Sequence, residues 1–408
     1  MKKEFVWGSG LSPFFVPEDF LPSRPTLPER SEAEVVVIGG GLSGLLCTYR
    51  LLKQGKQVTL VCADTVGDGA SRYSSGIVSG DGGPELSRLR EILGQQAAVD
   101  WYRRAVGATD LLEKTVSDIG SKCDFLRRDL FYYTAFEKDV DALREECFLR
   151  HHIGIDCQWR SADACFEDFS FPCKGGILQR EGGAQLNLVR FCKDLSDWIL
   201  LHGGTVFEGS RIDLIEAVSS SQYRCHCGTK TITSSLVVDT RGGEVLSKRP
   251  SLGQRVTVFS VVTEPVDRFR GWQDRCLLKS RDQFLFLRTT ADDRILLCGG
   301  ASGTLSPDGR VGMFDAEALR RVKYRNLEED LREMFIGIPD LRRAYGFSQG
   351  IVIPKRGLPF YGKDPLWDGL YYLYAFGESG IASAVLGSEC IGRMIADPSQ
   401  RAPEPVTL

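Results

Sequence analysis

Histidine is scarce in this chain, four residues in 408, and its thirteen cysteines include no Cys-x-x-Cys pair. A metal centre made from closely spaced imidazoles and thiolates therefore has few places to form. Such ligands crowd together at Cys225-His226-Cys227, but in a strand the imidazole points away from both sulfurs, and no metal is expected. Also missing are the roughly 18 to 20 consecutive apolar residues that a membrane helix needs and a charged-then-apolar leader behind Met1. Cations and anions nearly balance, 51 Lys and Arg against 54 Asp and Glu, for a formal charge of -3. Nucleic acid is not an expected partner, because a chain that binds polyanions shows a basic excess or stripe. An odd number of scattered cysteines suits reduced thiols rather than a disulfide framework. Together these absences predict a soluble, cytoplasmic protein without a membrane span, long enough for about two to three domain-sized units.

What is present starts at Val35-Val36-Val37-Ile38-Gly39-Gly40-Gly41-Leu42-Ser43-Gly44, a β-branched run that breaks into a Gly-x-Gly-x-x-Gly loop. Gly39 permits the tight turn, Gly41 lets a pyrophosphate approach the backbone, and Gly44 lets the following helix pack against its strand. The N–H groups at Leu42 and Ser43 then face the anion at the helix N-terminus. Leu45 to Leu52 reads as that helix, Gly55 stops it, and Gln57 to Val61 reads as the second strand of a βαβ unit.

Further along, Val66 to Ile77 is a loop of small residues, Glu85 to Ile119 reads as helical, and Phe125 to Thr134 reads as a strand. A helix near Glu137 to His151 and an amphipathic helix from Leu186 to Leu201 follow. The next strands are Thr205 to Phe207, Ile212 to Ala217, Tyr223 to Cys227 and Leu236 to Asp239, the last ending in Thr240-Arg241-Gly242-Gly243. Val256 to Val262, Phe284 to Arg288 and Ile295 to Cys298 are β-type, and helix returns from Asp315 to Met334. A strand from Leu370 to Ala375 leads into a second glycine loop, Gly377-Glu378-Ser379-Gly380, and a helix to Ile395. The aromatic and proline-rich first 30 residues read as an extended arm.

In their order these motifs, with Leu358-Pro359, Gly362 and Gly387, resemble the D-amino-acid oxidase family of FAD-dependent amine and amino-acid oxidoreductases, which includes glycine and sarcosine oxidases. The segment Phe286 to Thr290 with Arg294-Ile295-Leu296 and Gly299-Gly300 is most similar to the gamma-glutamylputrescine oxidoreductase branch. The resemblance implies an α/β fold in which a Rossmann-like FAD-binding domain (31–85, 185–245 and 345–400) is interleaved with an antiparallel-sheet substrate domain (86–184 and 246–344). The cofactor residues it implies are Gly39, Gly41, Leu42, Ser43 and Gly44, then Cys62, Ala63 and Asp64, then Gly69, Ala70, Ser71, Ser75, Gly76 and Ile77. Ile212, Thr240 and Gly242 join them, as do Gly377, Gly380, Ile381, Ala382 and Ser383. Tyr73 stands where some relatives link flavin through histidine, and Leu358 to Ser383 holds no cysteine, so the implied FAD is non-covalent.

Two departures stand out. Cys62 replaces the glutamate that usually binds the adenosine ribose, which leaves Asp64 or backbone groups to do so. The strand at Gly350 to Ile353 is apolar where glycine oxidases bring an arginine to the substrate carboxylate, which leaves Arg288 and Arg356, with Tyr132 and Phe286, as candidate substrate contacts. The implied activity is oxidation of a C–N bond in an amine or amino acid, with hydride passing to flavin N5 and the electrons going on to O2 or a redox partner. A dehydrogenase of a hydroxy acid or other alcohol, and a flavin-binding or electron-transfer subunit without its own turnover, remain open. No catalytic residue is assigned.

Overall fold

The computed structural model describes residues 8–10, 24–81, 83–243, 250–303, 310–311, 314–338, 340–374 and 377–400. Its smaller sheet has eight strands, with the path Phe360–Lys363, Leu370–Tyr374, Lys230–Asp239, Arg30–Ile38, Val58–Val61 and Thr205–Phe207. The last five of these run parallel. Parallel strands are covered on both faces, which explains the unbroken run Val35-Val36-Val37, each residue fully buried. Helices Leu42–Lys53, Leu188–Leu201 and Gly380–Ala396 supply part of that cover. Arg30–Ile38 lies between Val58–Val61, next in sequence, and Lys230–Asp239, nearly 200 residues on, so the strand order reverses at the end of the strand that carries the glycine loop. In open α/β sheets that switch point is where a ligand crevice opens.

The second sheet has ten strands, mostly antiparallel, with Gly253–Thr263, Ile295–Gly303 and Leu285–Thr289 near its centre. Alternation along these strands sends Phe259, Leu278, Leu287 and Leu297 to one face, against Leu327, Leu331 and Phe335 in and after helix Ala316–Met334. The opposite residues, Val258, Phe286 and Cys298, turn toward the nucleotide-type sheet. The fold is thus mixed α/β, with a parallel and a largely antiparallel sheet.

Several elements differ from their expected bounds. Ile77–Ser79 and Arg343–Pro354 hydrogen bond within the ten-stranded sheet, so strand pairing does not follow divisions at 85 and 345. Helices Leu86–Leu93 and Gln95–Ile119 are broken at Gly94, whose φ of 79° suits glycine. They share one core with Ile381 and Val385 and with Tyr132, Ile177 and Ala184 of the larger sheet. The strand expected from Ile212 begins at Leu214. Gly175–Gln185, eleven residues long, gave no strand signal, because four of them are glycines that weaken β propensity. Of the N-terminal arm, Gly8–Gly10 pairs with Phe347 to Gln349, and Leu27 is buried with its N–H donated to Ser210 Oγ at 2.8 Å. The arm's remaining expected length, 1–7 and 11–23, lies outside the described residues. No described helix is long and apolar enough to cross a membrane, and all thirteen cysteines are free thiols.

Candidate functional site

An open cleft, about 1660 Å³ with the solvent at its mouth included, runs from the glycine loop to the ten-stranded sheet. At one end the three loop glycines have three separate reasons to be glycine. Gly39 has φ 116° and faces Thr240 Oγ1, 2.7 Å from where a Cβ would lie. A Cβ on Gly44 would collide with the Gly39 carbonyl. A Cβ on Gly41 would meet only Ser71 Oγ, at 3.5 Å, and point into the cleft. Thr240 donates its N–H and hydroxyl to Ile38 O at 2.9 and 2.8 Å, which ties the second turn to the first. Ser71 Oγ accepts the Leu42 N–H at 3.1 Å and brings in the small-residue loop, of which Gly69, Ala70 and Ser75 also line the wall. Leu42, Ser43 and Ile77 line it as well.

Cys62, Ala63, Asp64, Ile212, Thr240 and Gly242 form the neighbouring wall. Burial, together with the Glu208 and Asp64 carboxylates, pushes the Cys62 thiol well above its ordinary pKa, so it is a neutral group here. Buried Glu208 accepts the N–H groups of Arg24 and Val66 at 3.1 and 2.8 Å, a backbone-anchoring role. Asp64 is exposed, with Arg211 Nη2 4.0 Å away. Arg241 grips Asp239 with Nε and Nη2 at 2.9 and 2.7 Å and donates to Ile212 O at 2.9 Å, which fixes the 240–243 turn beside the cleft. Arg211 and Arg241 also line the wall.

At the sheet end the lining is mostly apolar, with Val258, Phe284, Phe286, Cys298 and Ile351, joined by Glu378 and by Gln349, whose amide donates to Ala70 O at 3.0 Å. Burial pushes the Cys298 thiol to about 11. Of the four candidate substrate contacts, only Phe286 is on the wall. Tyr132 shares its sheet face one layer behind and donates to Glu85 at 3.0 Å. Arg288 is buried beside Gly76, off the lining, where burial pulls its pKa down to about 9. Arg356 is exposed on a turn outside the cleft. The expected cofactor contacts Gly44, Gly76, Ala382 and Ser383 are also off the wall. Gly44 and Gly76 serve close backbone packing, and a Cβ on Gly76 would strike the Leu186 carbonyl. Ala382 is buried in its helix, and the Ser383 N–H is taken by Ser379 O at 2.9 Å. Gly377, Gly380 and Ile381 do line the cleft, and Gly380 and Ile381 begin a helix whose first N–H groups lack intrahelical acceptors.

The sequence reading missed a buried ion array behind this end. Lys279 is the lone charge in the strand Leu277–Ser280, and its Nζ lies 2.6 Å from Asp81 Oδ2 and 3.4 Å from Glu378 Oε2. Burial draws the Lys279 pKa down, but the two carboxylates outweigh it and hold the pKa above its usual value. Burial likewise raises Asp81, but Lys279 and Arg150 outweigh it and hold Asp81 below the usual carboxylate range. A lysine directly after two leucines and a glutamate inside a glycine loop were the available signals. His226, by contrast, lies 3.1 Å from Glu216.

A family model described as FAD dependent oxidoreductase (DAO) matches residues 34–394. The chain is 34% identical over 367 residues to "Probable oxidoreductase OrdL" of Rhizobium meliloti (strain 1021), covering 86% of this chain and 82% of that protein. It is 21% identical to gamma-glutamylputrescine oxidoreductase of Escherichia coli (strain K12), over 92% of this chain and 86% of that one. A 26% identity to the putative Rieske 2Fe-2S iron-sulfur protein YhfW of Bacillus subtilis (strain 168) extends over 46% of this chain and only 36% of that relative. Glycine oxidase from Geobacillus kaustophilus superposes with a TM-score of 0.75 at 17% identity, covering 93% of this chain and 98% of that chain.

Proposed function

The chain belongs to the DAO family of FAD dependent oxidoreductases, and on that premise we propose that it oxidises the C–N bond of an amine or amino acid with FAD held non-covalently. The glycine end suits the dinucleotide: the space a Gly41 Cβ would fill opens into the cleft, and among the described residues beyond its chain neighbours only Ser71 Oγ, at 3.5 Å, stands within 4 Å of it. Ser43 would carry the pyrophosphate, beside Ser71 Oγ, which takes the Leu42 N–H expected to face the anion; Asp64 and Ile212 would flank the adenosine half, and Gly380 and Ile381 would turn their N–H groups toward the flavin. FAD, when bound, supplies a two-electron acceptor for a hydride.

One observation carries the reading. The sheet end of the cleft is walled by Val258, Phe284, Phe286, Cys298 and Ile351, with Glu378 at its edge and no histidine among its lining residues. Oxidising a neutral amine needs a dry wall that holds the carbon in place, whereas an alcohol has to give up a hydroxyl proton to a base, and Glu378, the carboxylate at this end, is already engaged by the Lys279 ammonium at 3.4 Å. Phe284 and Phe286, whose rings lie 5.2 Å apart, would position the carbon and exclude water. The resulting imine is hydrolysed by water, and O2 or a redox partner takes the electrons in a cytoplasmic setting. The test is an anaerobic screen of the yellow holoprotein with amines, amino acids and hydroxy acids. Bleaching by amines or amino acids supports the reading, bleaching by hydroxy acids alone replaces it, and no bleaching by any points to a flavin-binding or electron-transfer subunit.

A further inference from the structure

The buried array at the sheet end exposes one charged group to the cleft, and it is an acid. Lys279 and Asp81 have side chains 5% and 2% exposed, whereas Glu378 is 35% exposed and lines the wall. Lys279 sits opposite Phe286 in strand register, its Nζ 5.5 Å from that ring. Its tighter bond is to Asp81, which also accepts a hydrogen bond from Ser79 Oγ at 2.7 Å. Arg150, which also acts on Asp81, is balanced by its own partner Glu146 at 2.7 Å, so the two carboxylates on the Lys279 ammonium leave one net negative charge, and Glu378 is where it meets the cleft.

We propose that Glu378 anchors a second, non-reacting ammonium of the substrate, so that this end of the cleft prefers aliphatic amines carrying a remote positive charge over amines carrying a carboxylate. The inference rests on the amine-oxidation reading above. A carboxylate beside the reacting nitrogen would keep it protonated and hinder loss of hydride, so Glu378 suits a nitrogen at the far end of the substrate. The apolar surroundings strengthen that attraction, and the Phe286 ring offers a cation a second favourable face. A substrate carboxylate finds no comparable partner here. Arg288 and Arg356 are off the wall, and the lining arginines, Arg211 and Arg241, stand beside Asp64 and Asp239 at the other end.

The test compares three probes on the anaerobic FAD holoprotein: 1,4-diaminobutane, 1-aminopentane and 4-aminobutanoate. Flavin bleaching, and any spectral shift that precedes it, is followed against concentration. The expected order of half-saturation is diamine tightest and aminobutanoate weakest. Glu378→Gln should reduce the diamine-to-monoamine preference about tenfold, the scale of one charge-assisted hydrogen bond, through half-saturation rather than through the limiting rate. Glu378→Asp, which keeps the charge on a shorter arm, should recover part of it. Equal handling of the three probes, preference for the carboxylate, no response to the diamine, or a preference unchanged in Glu378→Gln overturns the inference. If amines bleach the flavin without that preference, only the anchor fails; if hydroxy acids alone bleach it, the amine reading fails first.

Discussion

The two ends of the cleft are built from different materials. At the glycine end the working surface is backbone: turns at Gly39 and Gly242, with φ of 116° and 57°, and the starts of helices at Leu42 and Gly380. At the sheet end it is side chains, contributed by strands and loops as far apart in sequence as Ser79, Phe286, Gln349 and Glu378, with Lys279 buried behind them. A backbone surface tolerates any side chain that does not point inward, but it fails when a single Cβ does. A side-chain surface tolerates small shape changes, but it fails when one ion of a buried set is removed.

The largest effect should therefore come from Lys279→Met. It leaves Asp81 buried without its nearest cation, and breaking such a pair costs about 3–5 kcal/mol. In the parent protein Asp81 is held below its ordinary pKa, so its contribution is present above the unfolded carboxylate range and is lost as pH falls through the folded value. In the variant burial is opposed less strongly, the Asp81 pKa rises, and the penalty seen at pH 7 should shrink toward pH 4 as the carboxyl protonates. Denaturant unfolding of the apoprotein across that range checks it. A penalty that grows on acidification, or one not relieved by adding Asp81→Asn, would show that the pair does not hold this end together.

At the glycine end the corresponding break separates folding from binding. Gly44→Ala drives a Cβ into the Gly39 carbonyl and lies 2.9 Å from Thr240 Oγ1, so the apoprotein should lose about 3 kcal/mol of stability. Gly41 has φ -79° and ψ -178°, an extended conformation open to valine, and its Cβ would point into the cleft. Gly41→Val should therefore leave apoprotein melting nearly unchanged while weakening FAD about a hundredfold or more, about 2.7 kcal/mol. Titration of both apoproteins with FAD, alongside their thermal melts, decides it; a Gly41→Val protein with parental FAD affinity would remove the loop from the phosphate site.

The same contrast governs what could be read from the residues alone. Glycine at fixed spacing between a buried strand and a helix encodes a backbone shape, so the βαβ unit of the parallel sheet and most of the glycine-end lining were legible, down to Ser71 and Thr240, whereas the reversal of strand order, set by pairing with a strand nearly 200 residues away, was not. The ten-stranded sheet was legible strand by strand where residues alternate, as in Val256 to Val262, and was lost in Gly175–Gln185, where glycine stands in for packing side chains. The substrate end was misjudged because burial of a charge is a property of distant partners. Arg288 looked like a ligand for an anion and is buried off the wall, whereas Lys279 looked like an ordinary strand residue until Asp81 and Glu378 closed on it.

The smallest expected effect concerns Cys62, where the two kinds of surface meet. A glutamate at the end of this strand would add a charged acceptor toward the cleft, and one charge-assisted bond alone would tighten FAD about tenfold. The surroundings oppose it: the thiol already feels the carboxylates of Glu208 and Asp64, and Glu208 is buried and held by two backbone N–H groups. A third negative charge should offset most of the gain, so Cys62→Glu should leave the FAD Kd within about threefold of the parent. Asp64 is exposed and solvent-screened, which limits its share, and Asp64→Ala should weaken FAD only about threefold. Fluorescence titration of the two apoproteins at low and high salt separates these terms, since only the exposed Asp64 contribution should fade as salt is raised. Tenfold tightening in Cys62→Glu would mean that Glu208 is too far from the new carboxylate to oppose it. Complete indifference to both changes would place the adenosine ribose away from this strand.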